Sequence, residues 1–154
     1  MIHSYPTIFA LGHRAVIDIL DTEVAVSEKI DGSQLSFGRI AGELQIRSKG
    51  QQIIPDAPPT MFKKGVDYIL QADLRDNFVY RGEYLEKPHH NALAYDRIPR
   101  NHIIIFDIET AAETQCYLNP DEVAYESELI GLESVPGFFY GKINSLDEIY
   151  KLLE

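Results

Sequence analysis

The stretch Glu28-Lys29-Ile30-Asp31-Gly32 decides how the rest of this sequence is interpreted. It ends residues 23–30, an alternating segment rich in Val and Ile, and precedes a second strand-like segment at 33–40. A lysine in this setting can attack phosphorus when it is the neutral amine. We expect Asp31-Gly32 to form a tight turn that brings the backbone close to a nucleotide. Alone the pattern is weak, because average residue frequencies produce Lys-x-Asp-Gly by chance in about one chain in 30 of this length.

Length and composition indicate a single soluble globular domain over residues 1–154. Hydrophobic residues make up 45% of the sequence and charged residues 25%, which is typical of such a domain. The longest apolar stretch, Ile103 to Phe106, is strand-sized, whereas a membrane span needs about 20 residues. The single cysteine, Cys116, excludes an internal disulfide and fits a reducing compartment. Because the N-terminus also lacks a signal-peptide pattern, we expect a cytoplasmic protein without a membrane partner.

The negative charge of the chain is unevenly distributed. The net charge is −10; residues 1–75 hold 9 acidic and 8 basic side chains, whereas residues 76–154 hold 15 and 6. Proteins bind polyanions mainly through Lys and Arg. Residues 107–133 contain eight carboxylates and no Lys or Arg, so this stretch would repel nucleic acid, or simply keep the protein soluble. We expect any nucleic-acid surface on the first half or outside this chain.

Hydrophobic spacing predicts strands with irregularly interspersed helices. Residues 33–40 and 43–48 pair naturally as a hairpin around Ala41-Gly42. Ser145 and Glu148 form a capping box that begins the last helix. Further helices are predicted at 12–21, at 60–75 and from Asn119-Pro120, further strands at 23–30, 78–85 and 102–109, and a long polar loop at 86–101. This order favours an α+β fold of largely antiparallel sheets.

Three further motifs follow the lysine in a fixed order: Arg47-Ser48-Lys49-Gly50, the strand ending in Gly82-Glu83, and the strand ending in Phe106-Asp107. With Lys29 to Gly32, they resemble the ATP-dependent RNA ligase family of the covalent nucleotidyltransferase superfamily. The opening Tyr5-Pro6 and the loop from Asn91 to Pro99 also look like this family. The resemblance covers essentially the whole chain. It implies the nucleotidyltransferase fold, an ATP-grasp-like ligase architecture of antiparallel sheets with interspersed helices.

The resemblance also implies a role for each matching residue. Lys29 would attack the α-phosphate of ATP, release pyrophosphate and carry AMP for transfer to an RNA 5′-phosphate. Glu83 would bind either the ribose or the water around the metal ion, which would be Mg²⁺ or Mn²⁺. The remaining implied nucleotide contacts are Glu28 and Ile30 at the adenine pocket, Asp31 and Gly32 beside them, Arg47 and Lys49 on phosphate or ribose, Phe106 stacked on adenine, and Asp107 in a polar network.

Two motifs of the family do not occur: a Glu-Gly strand that binds metal, and a lysine strand that neutralises the triphosphate. We therefore expect the chain to be the N-terminal part of an adenylylation domain, with little ligase activity by itself. Missing strands would leave open sheet edges and favour self-association.

Other readings of the motifs remain open. A DNA ligase or an mRNA capping guanylyltransferase shares Lys-x-Asp-Gly, and a catalytically inactive nucleotide-binding or interaction module would fit the missing motifs. His89-His90 favours a loop role over a metal site, because no third ligand is evident.

Overall fold

The computed structural model describes residues 1–110 and 116–154. The chain divides into two compact units, one formed by Met1–Tyr5 and Ile30–Val135 and the other by Pro6–Lys29 and Pro136–Glu154. In chain order, the described elements are β1 (Val24–Ser27), β2 (Ser33–Ile40), β3 (Glu43–Ser48), β4 (Gln52–Ile53), α1 (Lys63–Gln71), β5 (Phe78–Tyr84), β6 (Ile103–Thr110), β7 (Cys116–Tyr117), α2 (Pro120–Leu129), β8 (Glu133–Ser134), β9 (Gly137–Gly141) and α3 (Leu146–Lys151).

The first unit is built on one sheet, with the strand order β4-β3-β2-β5-β6. The outer edge of β6 pairs with two short strands, β8 in parallel beside its beginning and β7 antiparallel beside its end. All the other neighbours in this sheet are antiparallel. The expected α+β fold of largely antiparallel sheets is therefore confirmed.

The two faces of this sheet differ in chemistry because side chains alternate along each strand. One face is apolar and packs with α1 and α2 into the core, whose members include Leu35, Phe37, Ile46, Val66, Ile69, Tyr80, Tyr84, Ile103, Ile105, Ile108 and Val123. The other face, called here the polar face, carries Gln34, Ser36, Arg47, Gln52, Arg81, Glu83, Asp107 and Glu109. Backbone carbonyls of the N-terminal residues Ile2 and His3 accept hydrogen bonds from this face.

The β2–β3 hairpin has the boundaries that the sequence predicts. Ala41 and Gly42 have φ of 52° and 79°, the left-handed backbone of a two-residue hairpin loop. The Oδ1 of Asn77 accepts a hydrogen bond from Ala41 N–H at 3.2 Å, which ties the loop to the start of β5.

The second unit contains the antiparallel pair β1 and β9, with Val24 opposite Gly141. The helix expected at 12–21 is instead two 3-10 turns, Arg14–Val16 and Ile19–Asp21, separated at Asp18, whose φ of −91° and ψ of 6° depart from helical geometry. The strand expected to reach residue 30 ends at Ser27. Ser145 caps α3 as predicted, although Glu148 reaches back to the N–H of Asn144 rather than to that of Ser145.

Two more predicted helices are present with shifted limits. The segment expected as one helix at 60–75 is a 3-10 turn, Thr60–Phe62, followed by α1, which ends where Ala72 becomes extended. α2 begins at Pro120 behind a complete capping box between Asn119 and Glu122. Within the described residues, no helix is long and apolar enough to cross a membrane.

Candidate functional site

The lysine motif lies in the segment that leaves the two-stranded sheet and enters β2. Glu28 donates its N–H to the carbonyl of Pro136 at 2.9 Å, which extends the β1–β9 pairing by one bond. Lys29 follows as the last residue of its segment in the second unit, and Ile30 begins the long segment of the first. Lys29 therefore stands just beyond a strand, near the position that the sequence predicts.

Gly32 is required for a close approach rather than for a turn. A Cβ at this position would lie 2.4 Å from the carbonyl oxygen of Tyr84, which no real side chain tolerates. The N–H of Gly32 donates to Oε1 of Glu83 at 3.2 Å. Residues 28–32 form no tight turn, so that expectation is wrong. The glycine instead lets the chain enter β2 pressed against the end of β5.

Asp31 is engaged by the loop that follows β5. Its N–H donates to the hydroxyl of Tyr95 at 2.7 Å, and its Oδ2 accepts from the N–H of Leu93 at 2.9 Å. The sequence predicts a nucleotide contact for this aspartate. Its position in the structure favours a structural connection between the lysine motif and the loop.

Arg47 lies at the end of β3, where Ser48 and Gln51 close the predicted turn. Its guanidinium donates to three backbone carbonyls: Nε to Ser48 at 3.0 Å, Nη1 to Ile2 at 3.1 Å and Nη2 to Lys49 at 3.3 Å. The Lys49 side chain is exposed in the turn. A phosphate at Arg47 would have to share these donors with the N-terminal segment.

Phe106 and Asp107 occupy a β-bulge. Asp107 pairs with Arg81 and Ile105 pairs with Gly82, so Phe106 has no opposite residue in β5. Tyr5 contacts both bulge residues, which places them on the same face: its ring stands edge-on to Phe106 at 5.1 Å and its hydroxyl bonds to Asp107. Bulges commonly redirect side chains beside functional sites.

Four polar-face residues form a row across the sheet. Arg47 is opposite Ser36, Ser36 is opposite Arg81, and Arg81 is opposite Asp107. Adjacent strands are about 4.8 Å apart, so the row spans roughly 14 Å. Glu83 lies two residues beyond Arg81 on the same face of β5. The structure thus brings Arg47, Glu83, Phe106 and Asp107 onto one face of the first unit, with Glu28 and Lys29 in the other unit.

Sequence reasoning missed the charged pair that Arg81 of this row forms with Glu109. Arg81 is fully buried, and its Nη2 donates to Oε1 of Glu109 at 2.7 Å. Its Nη1 donates to the carbonyl of His3 at 2.8 Å and to Oγ of Ser36 at 3.0 Å. The alternation of side chains along a strand could have predicted that Arg81 lies near the site, because it places Arg81 on the same face as Glu83.

Burial is the main cause of the pKa shifts of the titratable side chains at the bulge. It raises the pKa of Asp107 above its ordinary value, and the hydroxyl of Tyr5 opposes that rise by donating to the charged form. Burial and the neighbouring Asp107 raise the pKa of Tyr5. Burial, followed by a hydrogen bond to Glu109, raises the pKa of Tyr117 to about 12. Both tyrosines therefore remain neutral hydrogen-bond donors at physiological pH.

No ready-made metal site is present in the described part of the chain, where no three His, Cys, Asp or Glu side chains gather in a suitable group. The metal role of Glu83 therefore stays a prediction. His90 is engaged in the loop, with Ser33 Oγ 2.8 Å from its Nε2.

Comparison with solved structures confirms the nucleotidyltransferase-type ligase fold. An apo mutant of an RNA ligase from Naegleria gruberi has a TM-score of 0.61 and 14% identity over 90% of this chain and 44% of that chain. A mutant RNA ligase of the same organism, with ATP and Mn, has a TM-score of 0.54 and 15% identity over 92% of this chain and 45% of that one. This chain spans less than half the length of either structure.

Sequence comparison identifies the family. Comparison with curated proteins gives no significant match. The family model described as RNA ligase matches residues 22–153, which include the lysine motif and all three motifs that follow it. The chain therefore belongs to the RNA ligase family.

Proposed function

We propose that this chain performs the adenylylation step of an ATP-dependent RNA ligase, with Lys29 as the nucleophile. One observation carries the proposal: Gly32 of the lysine motif donates its N–H to Glu83, the carboxylate of the Gly-Glu strand. These two motifs are 51 residues apart in the chain. Their direct bond, in a chain of the RNA ligase family, supports one functional site that contains both.

The proposed reaction is a displacement at phosphorus. The neutral amine of Lys29 attacks the α-phosphorus of ATP and forms a P–N bond, while the bond to the bridging oxygen of the β-phosphate breaks. Pyrophosphate leaves with that electron pair, and the proton released by the nitrogen passes to water. The product is lysyl-AMP. In the next step an RNA 5′-phosphate oxygen attacks the same phosphorus, which releases the amine and activates the RNA end.

The polar face supplies the proposed nucleotide contacts. Phe106 is half-buried at the bulge and offers an aromatic surface for adenine. Glu83 accepts hydrogen bonds from ribose hydroxyls or meets metal-bound water, and Arg47 with Lys49 contacts phosphate. Glu28 and Ile30 border the adenine, and Asp107 holds the polar network around it. A bound Mg²⁺ or Mn²⁺ would neutralise triphosphate charge.

Mass spectrometry of the intact protein tests the proposal. We expect prolonged incubation with ATP and Mg²⁺ or Mn²⁺ to add the mass of one AMP slowly, on a peptide that contains Lys29, because the metal-binding and triphosphate-neutralising motifs do not occur in this chain. Lys29→Ala should abolish the adduct, whereas Lys64→Ala, at an exposed position of α1, should not. A parallel incubation with GTP tests the alternative that the chain is a capping guanylyltransferase, because such an enzyme would form the GMP adduct instead.

Two outcomes would count against the proposal. An adduct that survives Lys29→Ala would place the nucleophile elsewhere. Measurable ATP binding with no adduct at any metal concentration would favour the nucleotide-binding module instead.

A further inference from the structure

The loop between β5 and β6 is closed upon itself. The N–H of Tyr95 donates to the carbonyl of Pro88 at 2.9 Å, which ties the two ends of residues 88–95 together. Most of this segment is exposed, but His90 and Tyr95 are half-buried. We call residues His90–Tyr95 the latch, because their contacts converge on three consecutive residues of the lysine motif and β2.

The latch contacts Asp31, Gly32 and Ser33 in succession. Tyr95 accepts from the N–H of Asp31 at 2.7 Å, and the N–H of Leu93 donates to Oδ2 of Asp31 at 2.9 Å. The amide of Asn91 donates to the carbonyl of Gly32 at 2.7 Å and, more weakly, to Oδ1 of Asp31 at 3.4 Å. His90 completes the set with its 2.8 Å contact to Ser33 Oγ.

The hydrogen bonds of His90 determine its tautomer. The N–H of Glu86 donates to Nδ1 of His90 at 3.1 Å, so Nδ1 carries no proton. The proton of the neutral ring is therefore on Nε2, which donates to Ser33 Oγ. The ring connects the backbone after β5 with the first residue of β2.

Hydrogen bonds, rather than apolar packing, hold the latch in place. The side chain of Leu93 is 55% exposed, and its contact with Asp31 is made by its backbone N–H. Hydrogen bonds are directional, so several of them on three consecutive residues specify one backbone position. Apolar contact alone would allow the segment to slide.

We propose that Asp31 is a positioning residue: it acts through the latch, which fixes the backbone that follows Lys29, and it does not touch ATP. This inference rests on the proposed function, because Lys29 is the group whose position matters. A displacement of about 1 Å at a reacting group can cost on the order of 100-fold in rate. Asp31→Ala is therefore expected to slow lysyl-AMP formation about 10- to 100-fold, while ATP affinity changes less than about threefold.

Hydrogen exchange of the full chain tests the latch independently of catalysis. Asp31→Ala should accelerate exchange of the Leu93 amide about tenfold or more, because the amide loses its acceptor. Tyr95→Phe should do the same for the Asp31 amide. The matched control is Asp96→Ala, which removes an exposed carboxylate from the same loop. It should alter neither exchange nor rate.

The outcomes separate the latch from the proposed function. ATP affinity that falls as much as the adenylylation rate in Asp31→Ala would assign Asp31 to the nucleotide and overturn the proposal. Unchanged exchange at Leu93 would overturn it equally. If the unmodified chain forms no lysyl-AMP or binds no ATP, the proposed function fails, and the exchange of Leu93 and Asp31 then decides the latch alone.

Discussion

The hydroxyl of Tyr5 donates a hydrogen bond of 2.7 Å to Oδ2 of Asp107, a residue 102 positions later in the chain. The same ring stands edge-on to Phe106 and lies 5.8 Å beneath the guanidinium carbon of Arg81. The N-terminal segment is therefore attached to the bulge that carries two of the residues predicted to bind the nucleotide. Through this connection, the first residues of the chain contribute to the stability of the first unit and contact residues of the candidate site.

Tyr5→Phe should destabilise the first unit. The variant keeps the ring packing but removes the donor to a partly buried carboxylate, a hydrogen bond of a class that contributes about 1.5–3 kcal/mol. We expect the free energy of unfolding at pH 7, measured in urea, to fall by that amount. Tyr125→Phe alters a tyrosine that is 63% exposed and serves as the matched control. Equal stability of both variants would show that the bond to Asp107 contributes nothing.

Asp107 gives stability a pH dependence of known sign. Its folded pKa lies above its ordinary value of 3.8 because of burial. The native state therefore binds the proton more tightly than the unfolded state, and this contribution is present at low pH and lost as pH rises through the folded pKa. Asp107→Asn should remove this loss from urea unfolding curves measured between about pH 4 and pH 7. An unchanged pH profile would contradict the burial of this carboxyl.

Replacing one partner of the buried pair Arg81–Glu109 should lower the free energy of unfolding substantially. The two side chains are 0% and 3% exposed, and removing one partner of such a pair typically costs about 3–5 kcal/mol. Arg81→Met is expected to show that loss by urea unfolding. Arg75→Met breaks a pair with Glu126 in which the arginine side chain is 49% exposed, and it should have a smaller effect. A loss at Arg81 as small as that at Arg75 would mean that Glu109 finds other compensation.

The sequence correctly predicted those elements that a short run of neighbouring residues specifies. The β2–β3 hairpin was predictable because Ala41-Gly42 suits its loop, and α2 because Asn119-Pro120 marks a helix start. The pairing of β1 with β9 and the parallel pairing of β6 with β8 join distant segments, which no periodicity reveals. The strands β4, β7 and β8 have two residues each, too few to alternate.

The residues of the candidate site likewise fall into those that a local motif identifies and those that only tertiary contacts identify. Residues within a motif, such as Lys29 and Glu83, could be named from the sequence because residue type and order carry the signal. The buried partner Glu109 and the latch residues could not, because their roles depend on tertiary contacts with Arg81 and Asp31. Gly32 was named for the wrong reason, since only the structure reveals the nearby carbonyl of Tyr84.

Gly32→Ala should reveal how tightly the lysine motif is pressed against β5. The new Cβ would lie 2.4 Å from the backbone oxygen of Tyr84, which cannot move aside as a flexible side chain could. Overpacking of this kind costs about 1–3 kcal/mol or more. Gly50→Ala is the control, because a Cβ there meets nothing within 4 Å. Chemical denaturation should separate the two variants clearly, and equal stabilities would mean that β2 can shift away from β5.

Glu133 should make the loop that contains the latch sensitive to acid. Its carboxylate accepts from both terminal nitrogens of Arg97, at 2.8 and 2.6 Å, and from the N–H of Arg100. The hydrogen bond from Arg97 is the largest of the effects that hold the pKa of Glu133 below its ordinary value of 4.5. The stabilisation is therefore present above about that pH and is lost as pH falls through the lower, folded pKa.

Glu133→Gln removes the titrating group and should flatten this acid dependence. The protection of amides near Arg100, measured as the intrinsic exchange rate at each pH divided by the observed rate, should fall between neutral pH and about pH 3 in the unmodified chain and fall much less in the variant. Glu128→Gln is the matched control, because Glu128 is 70% exposed and meets Arg100 at 3.3 Å. If both variants keep the full acid response, the anchor of the loop lies in the latch contacts to Asp31 rather than in the carboxylate of Glu133.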